Sequence, residues 1–257
     1  MTTEAIPISE LDTKLIKISP LQTKKWNFKN KAGETISGSL DYCEVYYGDG
    51  GEKLSMSIDG GKIGAGGVNT QFNLMSVKHD NKTADVIRNT VDRIIKTKLI
   101  KNRKNCLSAK INDKLSKSKS QKEEDLVNAL DMLYAGVVRE GKLKDKSDPS
   151  QGRYDPEVGG TIAMTKVDGQ LRPDPDMCPF IDIHDAPYMW TQCAGKDVDE
   201  YVIEIDRISF KDGNVTVQCK FRMVCIKAKA AKKFVSKKRA IMKDNHHDTP
   251  STVEVKS

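Results

Sequence analysis

No run of this 257-residue sequence approaches the roughly 20 apolar residues that a membrane-spanning helix needs, so no membrane partner is expected. The opening MTTEAIPISE carries an acid and no apolar stretch, and it does not read as an export signal. Cysteine is sparse. Cys43, Cys106, Cys178, Cys193, Cys219 and Cys225 show no C-x-x-C spacing, which argues against a disulfide framework and leaves reduced core thiols of an intracellular protein. Histidine is scarcer still, and Cys178, His184 and Cys193 are wrongly spaced for a structural zinc, while His246 and His247 lie near the end of the chain. There is no serine elbow, and no cysteine stands beside a histidine as a nucleophile would. The glycine-rich run from Gly48 to Gly67 fails as a phosphate loop, because Gly61-Lys62 is followed by Ile63 instead of Ser or Thr. Its glycines read as hairpin turns and bulges. No active site and no cofactor are expected, so the chain reads as a non-enzyme.

What the chain has is charge, unevenly spread. The formal net charge is +7, with 31% charged and 37% apolar residues. Asp113 is the only acid between Lys96 and Lys122, and none occurs between Lys220 and Lys243, whereas Asp155 to Asp206 is rich in acids. Basic stretches around an acidic middle polarise the field, and polyanions are the common partners of such a field.

The hydrophobic pattern changes period along the chain. Short alternating segments up to residue 75, separated by Gly, Asp and Asn turns, predict a β-barrel or sandwich. From 82 to 100, Ala84, Ile87, Val91, Ile94 and Ile95 recur at helical steps, and Leu107, Ile111 and Leu115 suggest a short helix. Ser120 to Glu123 reads as a capping box for a helix with the stripe Leu126, Leu130, Leu133 and Val137, stopped at Gly141. The clearest alternation lies in 201–226. Val215, Val217, Cys219, Phe221, Met223 and Cys225 share one face, Lys211 to Asn214 forms a turn, and the incoming strand slips phase near Asp206 and Arg207, as a bulge would make it. The expected fold is α+β: an OB-like twisted β-barrel with a helical insertion at 82–141, in one β-rich domain spanning 12–228. Residues 1–11 are expected to form a flexible N-terminus, and 229–257 a basic, largely disordered C-terminal tail.

Aromatic and basic residues interleave on the predicted strands. Single-stranded nucleic acid is held by bases stacking on such rings while lysines track phosphates. The candidate contacts are Lys24, Lys25, Trp26, Lys29, Tyr42, Tyr46, Trp190, Lys220, Arg222, Lys232 and Lys233. Trp26 and Phe28 share a strand face and are expected to pack. Tyr42 and Tyr46 lie opposite the inferred core face and are better placed to stack. The cluster Asp174, Asp176, Asp182 and Asp185 with His184 is the one alternative site, that of a metal-dependent nuclease.

The element order, with GGTIAMTKV at 159–167 followed by YVIEIDRISF and NVTVQCKFRMVCI, resembles the single-stranded DNA-binding proteins of large double-stranded DNA viruses. The resemblance implies an OB-like barrel that coats exposed strands in replication or repair without sequence preference and without a cofactor. Single-stranded DNA is the expected partner, with RNA and a second copy of the chain as further candidates, in the cytoplasm or nucleus of an infected cell. The chain departs from the pattern in finishing basic where several such proteins finish acidic. A viral structural or movement-type nucleic-acid-binding protein is the alternative function.

Overall fold

The computed structural model describes residues 5–118 and 120–227. The chain opens with short strands β1 (Ile6–Pro7) and β2 (Ile16–Ile18), followed by a long hairpin of β3 (Gln22–Lys29) and β4 (Thr35–Cys43). Next come β5 (Val45–Tyr47), β6 (Glu52–Lys53), β7 (Ser55–Asp59), β8 (Lys62–Ile63) and β9 (Leu74–Lys78). The stretch 68–75, expected as a strand, is mostly a turn, and the strand begins only at Leu74.

Helices α1 (Asn81–Ile87), α2 (Arg93–Lys101), α3 (Arg103–Cys106), α4 (Ala109–Ser116) and α5 (Glu123–Asp131) fill the middle. Asp80 caps α1 by accepting from the Thr83 N–H at 2.7 Å. A π turn at Arg88–Asp92 joins α1 to α2 and leaves Asp92 buried. The Asp92 carboxylate accepts from the Val137 N–H at 2.8 Å, the Val138 N–H at 3.3 Å and the Tyr134 hydroxyl at 3.1 Å. A side chain on Gly136 would collide with that carboxylate. This clasp ends the helical stripe early. Leu133 and Val137 are not on α5, because the chain turns at Met132 into β10 (Tyr134–Ala135) and β11 (Val138–Arg139).

The last part holds β12 (Glu157–Ile162), the hairpin β13 (Met164–Val167) and β14 (Gln170–Pro173), β15 (Phe180–Asp182), and the long pair β16 (Val198–Lys211) and β17 (Asn214–Ile226). Asp212 and Gly213 turn this pair at φ 53° and 77°, the positive values that a tight hairpin needs. The expected bulge is present: Ile205 pairs with Cys219 and Arg207 with Gln218, so Asp206 has no opposite residue. A second slip, where Val202 meets Met223 and Ile203 meets Phe221, leaves Arg222 unpaired and reverses the phase of β17. Val224 is therefore buried, and Met223 is only half-buried instead of turned inward.

The main sheet runs β1-β7-β16-β17-β12-β9-β8, and β4 also pairs with β16, further along from β7. Its far strand returns to the start of β16 through the single bridge between Lys62 and Asp197, flanked by hydrogen bonds from the Ile63 N–H to the Lys196 carbonyl and from the Val198 N–H to the Gly61 carbonyl. The architecture is α+β with a sheet-dominated core, and no continuous ladder closes it into a barrel among the described residues. The six cysteines are free and buried as expected, and burial pushes the Cys219 thiol up to about 12. Among the described residues no helix is long and apolar enough to cross a membrane.

Candidate nucleic-acid interface

Strand registers decide which side chains share a face. Tyr42 lies opposite Ser209, which lies opposite Thr216, and Arg207 lies opposite Gln218. On the other side of β17, Thr161 pairs with Lys220 and in turn with Leu74. Across β4, Tyr42 pairs with Gln22, and its hydroxyl donates to the Gln22 side chain at 3.0 Å. Since alternate residues of β3 share a face, Gln22, Lys24, Trp26 and Phe28 continue it. One outward surface therefore crosses six strands, from β9 through β12, β17, β16 and β4 to β3. The opposite surface carries Cys43, Ile208, Val215, Val217 and Cys219 into the core.

At the β3 end the surface is aromatic and exposed. Trp26 and Phe28 are 43% and 53% exposed, and their rings stack at 5.6 Å with 19° between planes. They were expected to pack inward. They do not, because the β3–β4 hairpin runs beyond the core and nothing covers this face among the described residues. A side chain on Gly38 would collide with the Trp26 ring, so the absent Cβ lets the indole lie across the neighbouring strand. Lys24 shares this face, while Lys25 and Lys29 point to the other side of the hairpin; none of the three makes an ion pair among the described residues.

In the middle the surface is cationic and more constrained. Arg139, Gly159, Gly160, Thr161, Arg207 and Lys220 line an open groove together with Leu74, Gln218 and Thr216. Lys220 donates to Asp206 at 2.5 Å, and Arg207 Nε donates to the same carboxylate at 2.8 Å. Burial pushes the Asp206 carboxyl up, but the hydrogen bonds and charges of Lys220 and Arg207 outweigh it and hold it below the ordinary carboxylate range. Arg222 is held more fully, giving Glu204 bonds of 2.8 to 3.1 Å from Nε and one terminal nitrogen. Of the two cations on β17, Lys220 faces the groove and Arg222 is committed to its carboxylate in a bulge. The Arg207 guanidinium lies 5.8 Å from the Tyr42 ring centre, and Lys53 Nζ lies 5.0 Å from that of Tyr46. Tyr46 is half-buried on β5 and hydrogen-bonds Glu44, and Lys53 also donates to the Asp206 carbonyl at 3.2 Å.

Trp190 stands elsewhere, in the short 3₁₀ turn Trp190–Gln192, partly buried against the core and outside the groove lining. Lys232 and Lys233 lie outside the described residues. Arg139 and Arg207 are the groove residues that sequence reasoning missed. Gly159-Gly160 inside a strand was the available signal, since paired glycines there mark close approach: a side chain on Gly159 would come within 3.3 Å of the Arg139 guanidinium.

The aspartate cluster does not converge. Among the described residues no three His, Cys, Asp or Glu side chains gather as a metal site would require. Asp182 Oδ1 accepts from the His184 N–H at 2.8 Å and the Ala186 N–H at 3.0 Å, and Asp174 accepts from the Asp176 N–H at 3.0 Å, so both shape their own turns.

No protein-family model matches the chain, and no curated protein matches it. Solved structures of the single-stranded DNA-binding protein from bacteriophage Enc34 are similar to it. The complex with single-stranded DNA has a TM-score of 0.39 at 7% identity, covering 73% of this chain and 91% of that one. A second structure of the same protein gives 0.37 at 8% identity over 84% and 92%, and its C-terminal truncation gives 0.40 at 8% over 73% and 91%.

Proposed function

We propose that the chain is a non-enzymatic single-stranded DNA-binding protein that coats exposed strands in replication or repair without sequence preference. The observation that carries this reading is the continuity of one sheet face, where an uncovered aromatic arm runs into a groove lined by Arg139, Arg207 and Lys220. Bases stack on Trp26 and Phe28, each worth ~1 to 3 kcal/mol, and every base has a face to offer, so the energy does not depend on sequence. Tyr42, braced by Arg207, carries the strand from arm to groove. Lys24, Arg207, Lys220 and Arg139 meet phosphates. A duplex buries its base faces and would forfeit the stacking energy. In the same reading β8, β9, β12, β17 and β16 form an OB-like barrel, with the Lys62–Asp197 bridge as its seam.

Gel shifts with oligo-dT, duplex and RNA over a salt series test this. Oligo-dT should shift at low salt and quench tryptophan fluorescence, and its affinity should fall on a log–log plot by about 0.7 per phosphate contact as salt rises. No shift and no quenching at low salt would overturn the proposal. One observation favours a second reading, a structural or movement-type nucleic-acid-binding protein that self-associates. Among the described residues β3 pairs only with β4, and seven of its eight residues are exposed along a free edge. Particles in light scattering without nucleic acid would support it.

A further inference from the structure

At the end of the face away from the aromatic arm, Phe72 is 61% exposed and takes no part in the core. Its backbone is nevertheless fixed. Asn69 and Leu74 exchange both of their backbone hydrogen bonds, at 2.8 and 3.1 Å, to close a turn that Phe72 occupies. Inside it the Asn69 side chain accepts from the N–H groups of Gln71 at 3.1 Å and Phe72 at 3.2 Å. From outside, the Ile162 N–H donates to the Asn73 carbonyl at 2.9 Å, tying the turn to β12. Asn73 itself is in the left-handed region at φ 54°, which asparagine tolerates better than most residues. The turn closes on Leu74, which walls the groove beside Arg139, Thr161 and Lys220.

A single exposed phenylalanine is ordinary on a protein surface. This one is held in water by a pinned turn at the rim of a cationic groove, and the same face ends in two more exposed rings. A rigid ring loses little entropy when a flat ligand settles on it, and the neighbouring charge selects a polyanion.

We propose that Phe72 is a second base-stacking platform for single-stranded nucleic acid, marking the far end of the path that begins at Trp26. The inference rests on the proposed function of this face. Six adjacent strands separate the two ends by about 24 Å across the sheet, and the registers offset Trp26 from Leu74 by about eight residues along it, so the two ends lie about 35 Å apart. At the stacked spacing of about 3.4 Å that distance takes about ten nucleotides. Between them Arg207, Lys220 and Arg139 meet the backbone.

The experiment compares Phe72→Ala and Phe72→Tyr with the parent, using labelled oligo-dT of about four and about twelve nucleotides, lengths on either side of that span. Phe72→Ala should bind the long strand roughly 5- to 150-fold more weakly, the worth of one stacked base. Its binding of the short strand should be little changed, because that strand is still held at Trp26. Phe72→Tyr keeps a ring and should bind both like the parent. Thermal unfolding of all three chains should coincide, since the ring is uncovered. If Phe72→Ala matches the parent at both lengths, or loses equally at both, the second platform is disproved while the functional reading stands. If the parent binds neither strand, the functional reading falls and this inference with it.

Discussion

Lys220 reaches back across the hairpin to Asp206, its Nζ 2.5 Å from Oδ1, and Asp206 is the residue that the β16 bulge leaves without a partner on β17. The bulge thus turns a carboxylate into the middle of the cationic groove. A phosphate entering there must compete with it for Lys220 and Arg207. Asp206→Asn removes the competitor's charge and keeps its shape. Oligo-dT affinity should rise, and the salt dependence should steepen by about 0.7 on a log–log plot if one more cation becomes available to phosphate. The cost in stability should be within about 1 kcal/mol, because Lys220 is 40% exposed and its pairing is largely screened. Fluorescence titrations at several salt concentrations check this, and weaker binding would mean that the carboxylate positions the cations.

Trp26→Ala tests the arm. The indole is 43% exposed and rests on Gly38 and Phe28 instead of the core. Affinity for oligo-dT should drop by about 1 to 3 kcal/mol, with the unfolding midpoint nearly unchanged. Gly38→Ala should mimic part of the loss, since the new methyl displaces the ring. A midpoint that falls sharply in Trp26→Ala would show that the arm supports the fold.

These two sites differ in how far the sequence announced them. The bulge at Asp206 was legible because it is local: within 201–211 the alternation of Tyr201, Ile203 and Ile205 slips phase before Ile208 and Phe210. The second slip at Arg222 was not, because a β17 pattern of Val215, Val217, Cys219, Phe221, Met223 and Cys225 stays regular by arithmetic while the partner strand sets the register. Val137 was assigned to a helix because its spacing from Leu130 is helical, whereas the Asp92 carboxylate and the side-chain-free Gly136 draw it into a different segment. Trp26 and Phe28 were expected to pack for a similar reason. Periodicity shows that two rings share a face, but whether anything covers that face depends on where the hairpin ends relative to the core.

Arg222 was a phosphate candidate in the sequence, and its geometry now predicts a structural role. Its terminal nitrogen and Nε grip Glu204, whose side chain is 13% exposed. Arg222→Ala should lower stability by about 1.5 to 3 kcal/mol, the value of hydrogen bonds to a charged group, and change oligo-dT affinity less than Lys220→Ala does. Adding Glu204→Gln should recover part of the stability, because the orphaned carboxylate is gone. Denaturant midpoints for the two single variants and the double variant give the coupling. Equal and large affinity losses for Arg222→Ala and Lys220→Ala would instead return Arg222 to the binding surface.

His79 sets the pH response of the fold. Its Nε2 lies 2.7 Å from the buried Tyr201 hydroxyl. Burial pulls its pKa below the ordinary 6.5, with Asp80 opposing weakly. A histidine with a lowered folded pKa is neutral in both states above 6.5, and its contribution is then fully present. As pH falls below 6.5 the unfolded chain takes up the proton first, so stability declines until the folded pKa is reached. The decline has a maximum slope of about 1.4 kcal/mol per pH unit for this one group. His79→Gln keeps a side-chain partner for the Tyr201 hydroxyl and cannot titrate. Denaturant unfolding of both chains between pH 7.5 and 5 should therefore give a steeper loss for the parent than for His79→Gln. Carboxylates that titrate lower are common to both chains and cancel in the difference. Parallel curves would show that His79 charges as easily folded as unfolded, and that its contact with Tyr201 is open to water.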